Sequence, residues 1–73
     1  LYPGYPRVMI LVKGKPMEWQ PGLTVEMVLR ERGYYFPNMQ VAVDKKMIKQ
    51  QNWSTHIVPD GVRVDIFEII YGG

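Results

Sequence analysis

The sequence contains no cysteine and a single histidine, His56. Without cysteine the chain forms neither a disulfide framework nor a thiol nucleophile, and one histidine alone argues against a zinc site. No apolar run approaches the roughly 20 residues that cross a bilayer, and no charged and then apolar signal segment opens the chain. These absences lead us to expect a cytoplasmic protein without a bound metal or a membrane partner.

The net charge of the chain is also small. Nine Lys and Arg residues against seven Asp and Glu residues give a formal net charge of +2, which requires no nucleic-acid partner. Lys45, Lys46 and Lys49 lie near Trp53 in the sequence; a solvated turn is the favoured interpretation, and contact with a nucleic acid is the alternative. The length of 73 residues predicts one small domain, which we expect to be a monomer when free.

A catalytic triad is not expected, although its residue types are present. Ser54, His56 and Asp60 fall within seven positions and lack any framework for an oxyanion hole. We therefore interpret His56 as a structural hydrogen-bonding residue and expect that the chain is not an enzyme.

The first half of the chain predicts a hairpin followed by a helix. Alternating apolar residues favour strands over residues 7–12 and 17–20, joined by a tight turn over 13–16 that contains a glycine. Thr24 has the position of an N-cap for a helix over residues 25–32, and Gly33 has the position that follows a C-cap. The aliphatic residues expected to face inward from this helix are Val25, Val28 and Leu29.

The second half predicts three further strands. They are a short strand over 41–43, a brief return strand over 47–48 and a final strand after the turn at 59–61. Trp53, in a predicted helical turn over 52–55, is expected to plug the open end of the core. With one helix to cover one face, we expect the first and last strands to lie side by side. The predicted fold is α+β, a β-grasp with a mixed sheet of four to five strands and one helix packed on one face.

Alternation along the last strand predicts an exposed apolar surface. Val64 and Ile66 share one face, whereas Arg63, Asp65, Phe67 and Ile69 share the other. Two charges in that second set mark it as the solvent face. If the first strand is the neighbour, a partner-docking patch of Phe67, Ile69, Met9 and Leu11 results. The alternative is that these are the scattered apolar residues found on every protein surface.

The sequence ends in two glycines, Gly72 and Gly73. Glycines weaken a strand, so we hypothesise that the terminal carboxylate is the functional group and that the thin tail threads a channel in a partner. An ionised carboxylate is a poor electrophile. ATP can convert it to an acyl-adenylate, which a sulfur nucleophile can attack to give a thiocarboxylate. We expect a flexible extension over residues 1–6, a β-grasp domain over 7–69 and a flexible tail over 70–73.

Several segments together resemble the ThiS family of ubiquitin-like sulfur carriers. They are PGLTV at 21–25, Trp53 followed by HIVPDG at 56–61, VDIF at 64–67 and the terminal glycines. The resemblance implies adenylation at Gly73 by a ThiF-like enzyme that uses ATP and Mg, with Gly72 and Tyr71 as the tail. It further implies a cysteine desulfurase as the sulfur source and a ThiG-like thiazole synthase as the acceptor in thiamin biosynthesis.

Three other functions remain open from the sequence. A carrier of the MoaD type would supply sulfur for molybdopterin by the same chemistry. A protein modifier would join Gly73 to lysines through isopeptide bonds. A non-covalent β-grasp interaction module would leave the tail unused.

Overall fold

Two antiparallel hairpins flank the last strand of the chain in a five-stranded sheet. The computed structural model describes residues 8–34 and 38–68. In chain order the elements are β1 (Met9–Val12), β2 (Lys15–Glu18), α1 (Val25–Arg32), β3 (Met39–Val43), β4 (Lys46–Ile48), a 3₁₀ turn (Gln50–Asn52) and β5 (Arg63–Glu68). The strand order is β2-β1-β5-β3-β4, and β1 and β5 are parallel. The predicted α+β fold, with the first and last strands adjacent, is confirmed.

Both hairpins close through two-residue turns with positive φ at both positions. The angles are 51° at Lys13 and 80° at Gly14 in the first turn, and 52° at Asp44 and 70° at Lys45 in the second. This is the turn geometry that matches the right-handed twist of two paired strands. Because both turns are short, β2 begins at Lys15 and β4 at Lys46, which is earlier than the predicted starts at residues 17 and 47.

The sequence pattern places Pro16 in the turn, but the structure places it inside β2, opposite Leu11. Proline removes a ladder hydrogen bond, yet β2 is an edge strand whose outer side needs no partner. The start of the first strand also differs, because Val8, within the strand predicted over residues 7–12, precedes β1 and is 39% exposed.

Helix α1 has the predicted bounds and caps. The Thr24 hydroxyl accepts a hydrogen bond from the Met27 backbone N–H at 3.2 Å, and Gly33 closes the helix at φ 75°. Two other amides of the first turn find partners outside the helix: Val25 donates to the carbonyl of His56 at 3.1 Å, and Glu26 donates to that of Trp53 at 2.9 Å. The loop before β5 thus completes the helix start, which explains how eight residues hold a helical form that would be marginal alone.

The core lies between α1 and the inner face of the sheet. Its buried residues come from every strand except β2 and include Ile10, Val12, Val25, Val28, Leu29, Val41, Val58, Val64 and Ile66. The two tryptophans close its ends: the indole N–H of Trp19 donates to the Val58 carbonyl at 2.6 Å, and that of Trp53 donates to the Ile48 carbonyl at 3.0 Å. Trp53 packs partly buried against the core, as predicted, although the helical turn beside it begins two residues early, at Gln50.

Replacing Thr24 with alanine is expected to lower the free energy of unfolding by about 1 kcal/mol, because one first-turn amide loses its acceptor. Urea denaturation followed by tryptophan fluorescence measures this change. Thr24→Ser keeps the hydroxyl and is the matched control, for which we expect a loss of less than about 0.5 kcal/mol. Equal losses in the two variants would show that the cap does not contribute.

Candidate docking surface

Strand β5 presents one face to the core and one to solvent, as alternation predicts. Val64 is fully buried and Ile66 is 6% exposed, whereas Phe67 on the opposite face is 49% exposed. On that same outer face the guanidinium of Arg63 donates to the carboxylate of Asp65 at 3.1 Å. The charged pair occupies the first half of the strand, so the apolar exposure is concentrated at its end.

The register of the parallel pair separates Met9 and Leu11 from Phe67. Leu11 lies opposite Arg63, and the Gly61 amide donates to the Met9 carbonyl at 2.9 Å. Phe67 is four residues beyond Arg63 on β5, which is roughly 13 Å along a strand. The expectation that Met9 and Leu11 lie beside Phe67 is therefore wrong. Alternation predicts which face a residue occupies, but the stagger between two strands is set by the chain that connects them.

The nearest neighbours of Phe67 on the outer face come instead from β3, and β4 lies one strand beyond them. Gln40 lies directly opposite Phe67, and Ala42 lies opposite Asp65, one step back along the same pair of strands. Met47 lies opposite Ala42 on β4 and is 52% exposed. Diagonal neighbours across a sheet are within reach of aromatic and other long side chains. We refer to Phe67, Ala42 and Met47 as the outer patch.

Sequence reasoning missed Ala42 and Met47. Both alternate with buried residues: Val41 and Val43 flank Ala42, and Ile48 follows Met47. The same alternation argument that was used for β5, if applied to β3 and β4, would have placed both residues on the outer face. Ala42 lies on β3, between Phe67 on β5 and Met47 on β4, and its short side chain is only 4% exposed. The surface between the two larger side chains is therefore low.

A groove adjoins the outer patch at the β4 edge. Its volume is about 410 Å³, and its lining includes Met39, Gln40, Met47, Ile48, Lys49 and Trp53. We refer to it as the β4 groove. A second groove of about 410 Å³ runs between β2 and α1, and Met17, Leu23, Met27 and Glu31 are among its lining residues. Within the described ranges, the β4 groove alone shares a residue, Met47, with the outer patch.

The described part of β5 ends at Glu68, two residues before the start of the predicted tail. Glu68 pairs with Met39 and is exposed although alternation points it toward the core side, because it lies at the end of the strand. Ile69, Tyr71, Gly72 and Gly73 lie outside the described residues, so their predicted roles remain predictions. The sequence places Gly73 five residues after Glu68, and five residues span at most roughly 17 Å.

Asp60 and His56, two of the triad residue types in the sequence, have structural roles. The carboxylate of Asp60 accepts a hydrogen bond from the Met9 backbone N–H at 3.0 Å and so fixes the start of β1. His56 is half-buried, and its backbone carbonyl serves the start of α1. Over residues 8–34 and 38–68 we find no group of three or more His, Cys, Asp or Glu side chains that could hold a metal ion. No helix in this part of the chain is long and apolar enough to span a membrane.

Comparisons with known proteins agree on one family. The model of the ThiS family matches residues 6–73. The sulfur carrier protein ThiS of Escherichia coli K12 is 27% identical over 66 residues, which cover 90% of this chain and all of the relative. The crystal structure of the thiamine biosynthesis protein ThiS from Geobacter metallireducens has the same fold, with a TM-score of 0.73 and 20% identity over 89% of this chain and 99% of that one.

Proposed function

The chain belongs to the ThiS family, and from this membership we propose that it is a sulfur carrier of thiamin biosynthesis whose working group is the carboxylate of Gly73. The observation that carries the proposal is the extent of the family match, which runs to residue 73 and so includes both terminal glycines. The relative from Escherichia coli is matched over its full length and is itself named a sulfur carrier.

The proposed chemistry proceeds in two transfers at the Gly73 carboxylate, the first at its oxygen and the second at its carbon. A carboxylate oxygen of Gly73 attacks the α-phosphorus of ATP, pyrophosphate leaves, and an acyl-adenylate forms. The terminal sulfur of a persulfide then attacks the carbonyl carbon and AMP leaves. A thiol such as free cysteine cleaves the resulting acyl disulfide and departs as a disulfide, so that sulfur has replaced one oxygen as a thiocarboxylate. Donation of that sulfide to the acceptor, with an oxygen from water or from the acceptor taking its place on the carbon, returns the carboxylate. A ThiF-like enzyme would hold the ATP and Mg, a cysteine desulfurase would supply the sulfur and a ThiG-like thiazole synthase would receive it.

The outer patch would dock the body of the carrier on these partners. Exposed apolar surface next to a functional segment is typical of a protein-binding site. Phe67 lies three residues before the predicted tail, residues 70–73. Docking there confines Gly73 to within roughly 17 Å of Glu68. Two glycines carry no Cβ, so this segment suits a narrow channel to a partner's active site.

Intact-mass spectrometry tests the proposal. The full chain is incubated with a ThiF-like enzyme from the same source, ATP, Mg, a cysteine desulfurase and cysteine. We expect a mass increase equal to the difference between a sulfur and an oxygen atom, located on Gly73. An unchanged mass, in a mixture that converts the Escherichia coli carrier in parallel, would overturn the proposal. Ladders of larger adducts would identify a protein modifier instead.

Phe67→Ala is expected to raise the KM of the ThiF-like enzyme for the carrier at least about tenfold, because aromatic anchors in interfaces often contribute 2 kcal/mol or more. The measurement is ATP–pyrophosphate exchange at varied carrier concentration. Leu11→Ala is the control: Leu11 is exposed to a similar extent, 39% against 49%, on the same face but opposite Arg63. Equal changes in KM for the two variants would remove Phe67 from the docking surface.

A further inference from the structure

Three lysines surround the β4 edge, beside the outer patch. Lys45 lies in the turn between β3 and β4, Lys46 begins β4, and Lys49 follows its last residue. All three are exposed. Asp44, which lies beside Lys45 in the turn, carries the opposite charge. Residues 44–49 therefore have a formal net charge of +2. Glu68 is a further nearby carboxylate, because it lies across from Met39 at the far end of the β4 groove.

Among the described residues, no carboxylate lies within ion-pair distance of any of these three lysines. The ion pairs found among the described residues join Arg30 to Glu26 and Arg63 to Asp65. The guanidinium of Arg32 donates to the Pro16 carbonyl. Unpaired surface charge of one sign raises the association rate of a partner with the opposite sign. The β4 edge is therefore suited to attract carboxylates.

The β4 groove provides an apolar surface next to these charges. Met39 is 7% exposed and Ile48 is 9% exposed at its floor, while Met47, at 52%, stands at its side. Trp53 packs against the core beneath it. Lys49 lines the same groove, so one recess combines an apolar floor with a cationic rim. Methionine adapts its shape to apolar partners, which suits a recess that receives a single large side chain.

We propose that the β4 groove binds a segment of the adenylating partner that presents a large apolar side chain flanked by carboxylates. This inference rests on the proposed function and adds to it the chemistry of the partner's surface. The apolar side chain fills the recess beside Met47, and a carboxylate lies against Lys49, which lines the groove. Lys45 and Lys46, at the other end of β4, add positive charge to the same edge of the sheet. Complementary charge of this kind steers encounter and fixes the orientation of the docked pair.

The test measures the rate of association with the ThiF-like enzyme at a series of NaCl concentrations. Lys49→Glu is compared with Lys15→Glu, which makes the same change in net charge at an exposed position on β2, at the opposite edge of the sheet. We expect Lys49→Glu to lower the association rate at low salt at least about threefold, and the triple reversal of Lys45, Lys46 and Lys49 about tenfold or more. Lys15→Glu should stay near the wild-type rate.

The apolar part of the proposal has its own pair of variants. Met47→Ala is expected to raise the dissociation rate at least about fivefold, because interface substitutions act mostly on dissociation. Met27→Ala is the control, since Met27 is 39% exposed and lies at the β2–α1 groove. Circular dichroism verifies that each variant keeps the fold.

The outcomes separate this inference from the proposed function. If the enzyme charges the wild-type chain but Lys49→Glu and Met47→Ala match their controls, the inference fails and the sulfur-carrier proposal stands. If the wild-type chain is never charged, both fail. Lys49-dependent binding of a labelled single-stranded RNA at 150 mM salt, with unchanged association to the enzyme, would assign the lysines to nucleic acid and overturn the inference. A Met47-dependent dimer in light scattering, with unchanged association to the enzyme, would likewise overturn it.

Discussion

Removal of Gly73 is expected to lower the rate of thiocarboxylate formation at least about 100-fold. The shortened chain still ends in a glycine carboxylate, but that group is one residue, or about 3.5 Å, short of its reacting position. Displacement of a reacting group by as little as about 1 Å can cost a factor of about 100. Single-turnover conversion, measured by intact mass with the ThiF-like enzyme in excess, gives the rate directly.

The control for this deletion separates chemistry from docking. Because the outer patch remains intact, the shortened chain should compete with the full chain for the enzyme at a similar concentration. A rate near that of the full chain would contradict the assignment of Gly73. The same conclusion would follow if a chain that ends at Tyr71 sustained thiamin synthesis in cells as well as the full chain does.

Ile10→Ala is expected to have the largest effect on stability, a loss of about 3 kcal/mol in the free energy of unfolding. Ile10 is 1% exposed at the centre of β1, so the substitution removes buried aliphatic atoms and leaves a cavity. A domain of this length has a total stability of about 4–11 kcal/mol. The melting temperature should therefore fall by about 12–24 °C. Urea denaturation followed by the fluorescence of Trp19 and Trp53 measures the loss.

Leu11→Ala is the matched control, one position along the same strand. Leu11 is 39% exposed on the outer face, so we expect a loss of less than about 1 kcal/mol. The comparison tests the assignment of faces directly, because a slip of one residue in register would exchange the two results. A larger loss for Leu11→Ala than for Ile10→Ala would contradict the register of β1.

The bounds of the helix were predictable because its signals are local. Thr24 caps an amide three residues ahead, and Gly33 adopts the positive φ that closes the last turn. Both interactions lie within a few residues of sequence, so the residue types alone indicate them. The burial of Val64 and Ile66 was predictable for the same kind of reason, since alternation in a strand is a local geometric property.

The docking surface was only partly predictable. Exposure of Phe67 follows from alternation, but the identity of its neighbours depends on the stagger between strands that are distant in sequence. That stagger is fixed by contacts such as the bond from the Met9 amide to the Asp60 carboxylate and the bond from the Leu11 amide to the Val62 carbonyl at 3.1 Å. No short-range pattern encodes these distances. The sequence pattern therefore placed Met9 and Leu11 beside Phe67, where the structure places Gln40, with Ala42 diagonal to Phe67 and Met47 beyond Ala42 on the next strand.

The sequence by itself determined the helix, the alternation of each long strand, the adjacency of the first and last strands and the family resemblance that points to Gly73. These depend on residue types at fixed short spacings, on the order of the predicted elements, or on a motif found along the chain. Only the tertiary structure decided which side chains share the outer face, and that the lysines of the β4 edge border an apolar groove. Those relations arise from the pairing of β5 with β3 and of β3 with β4, where hydrogen bonds between distant segments set a register that local preferences leave open.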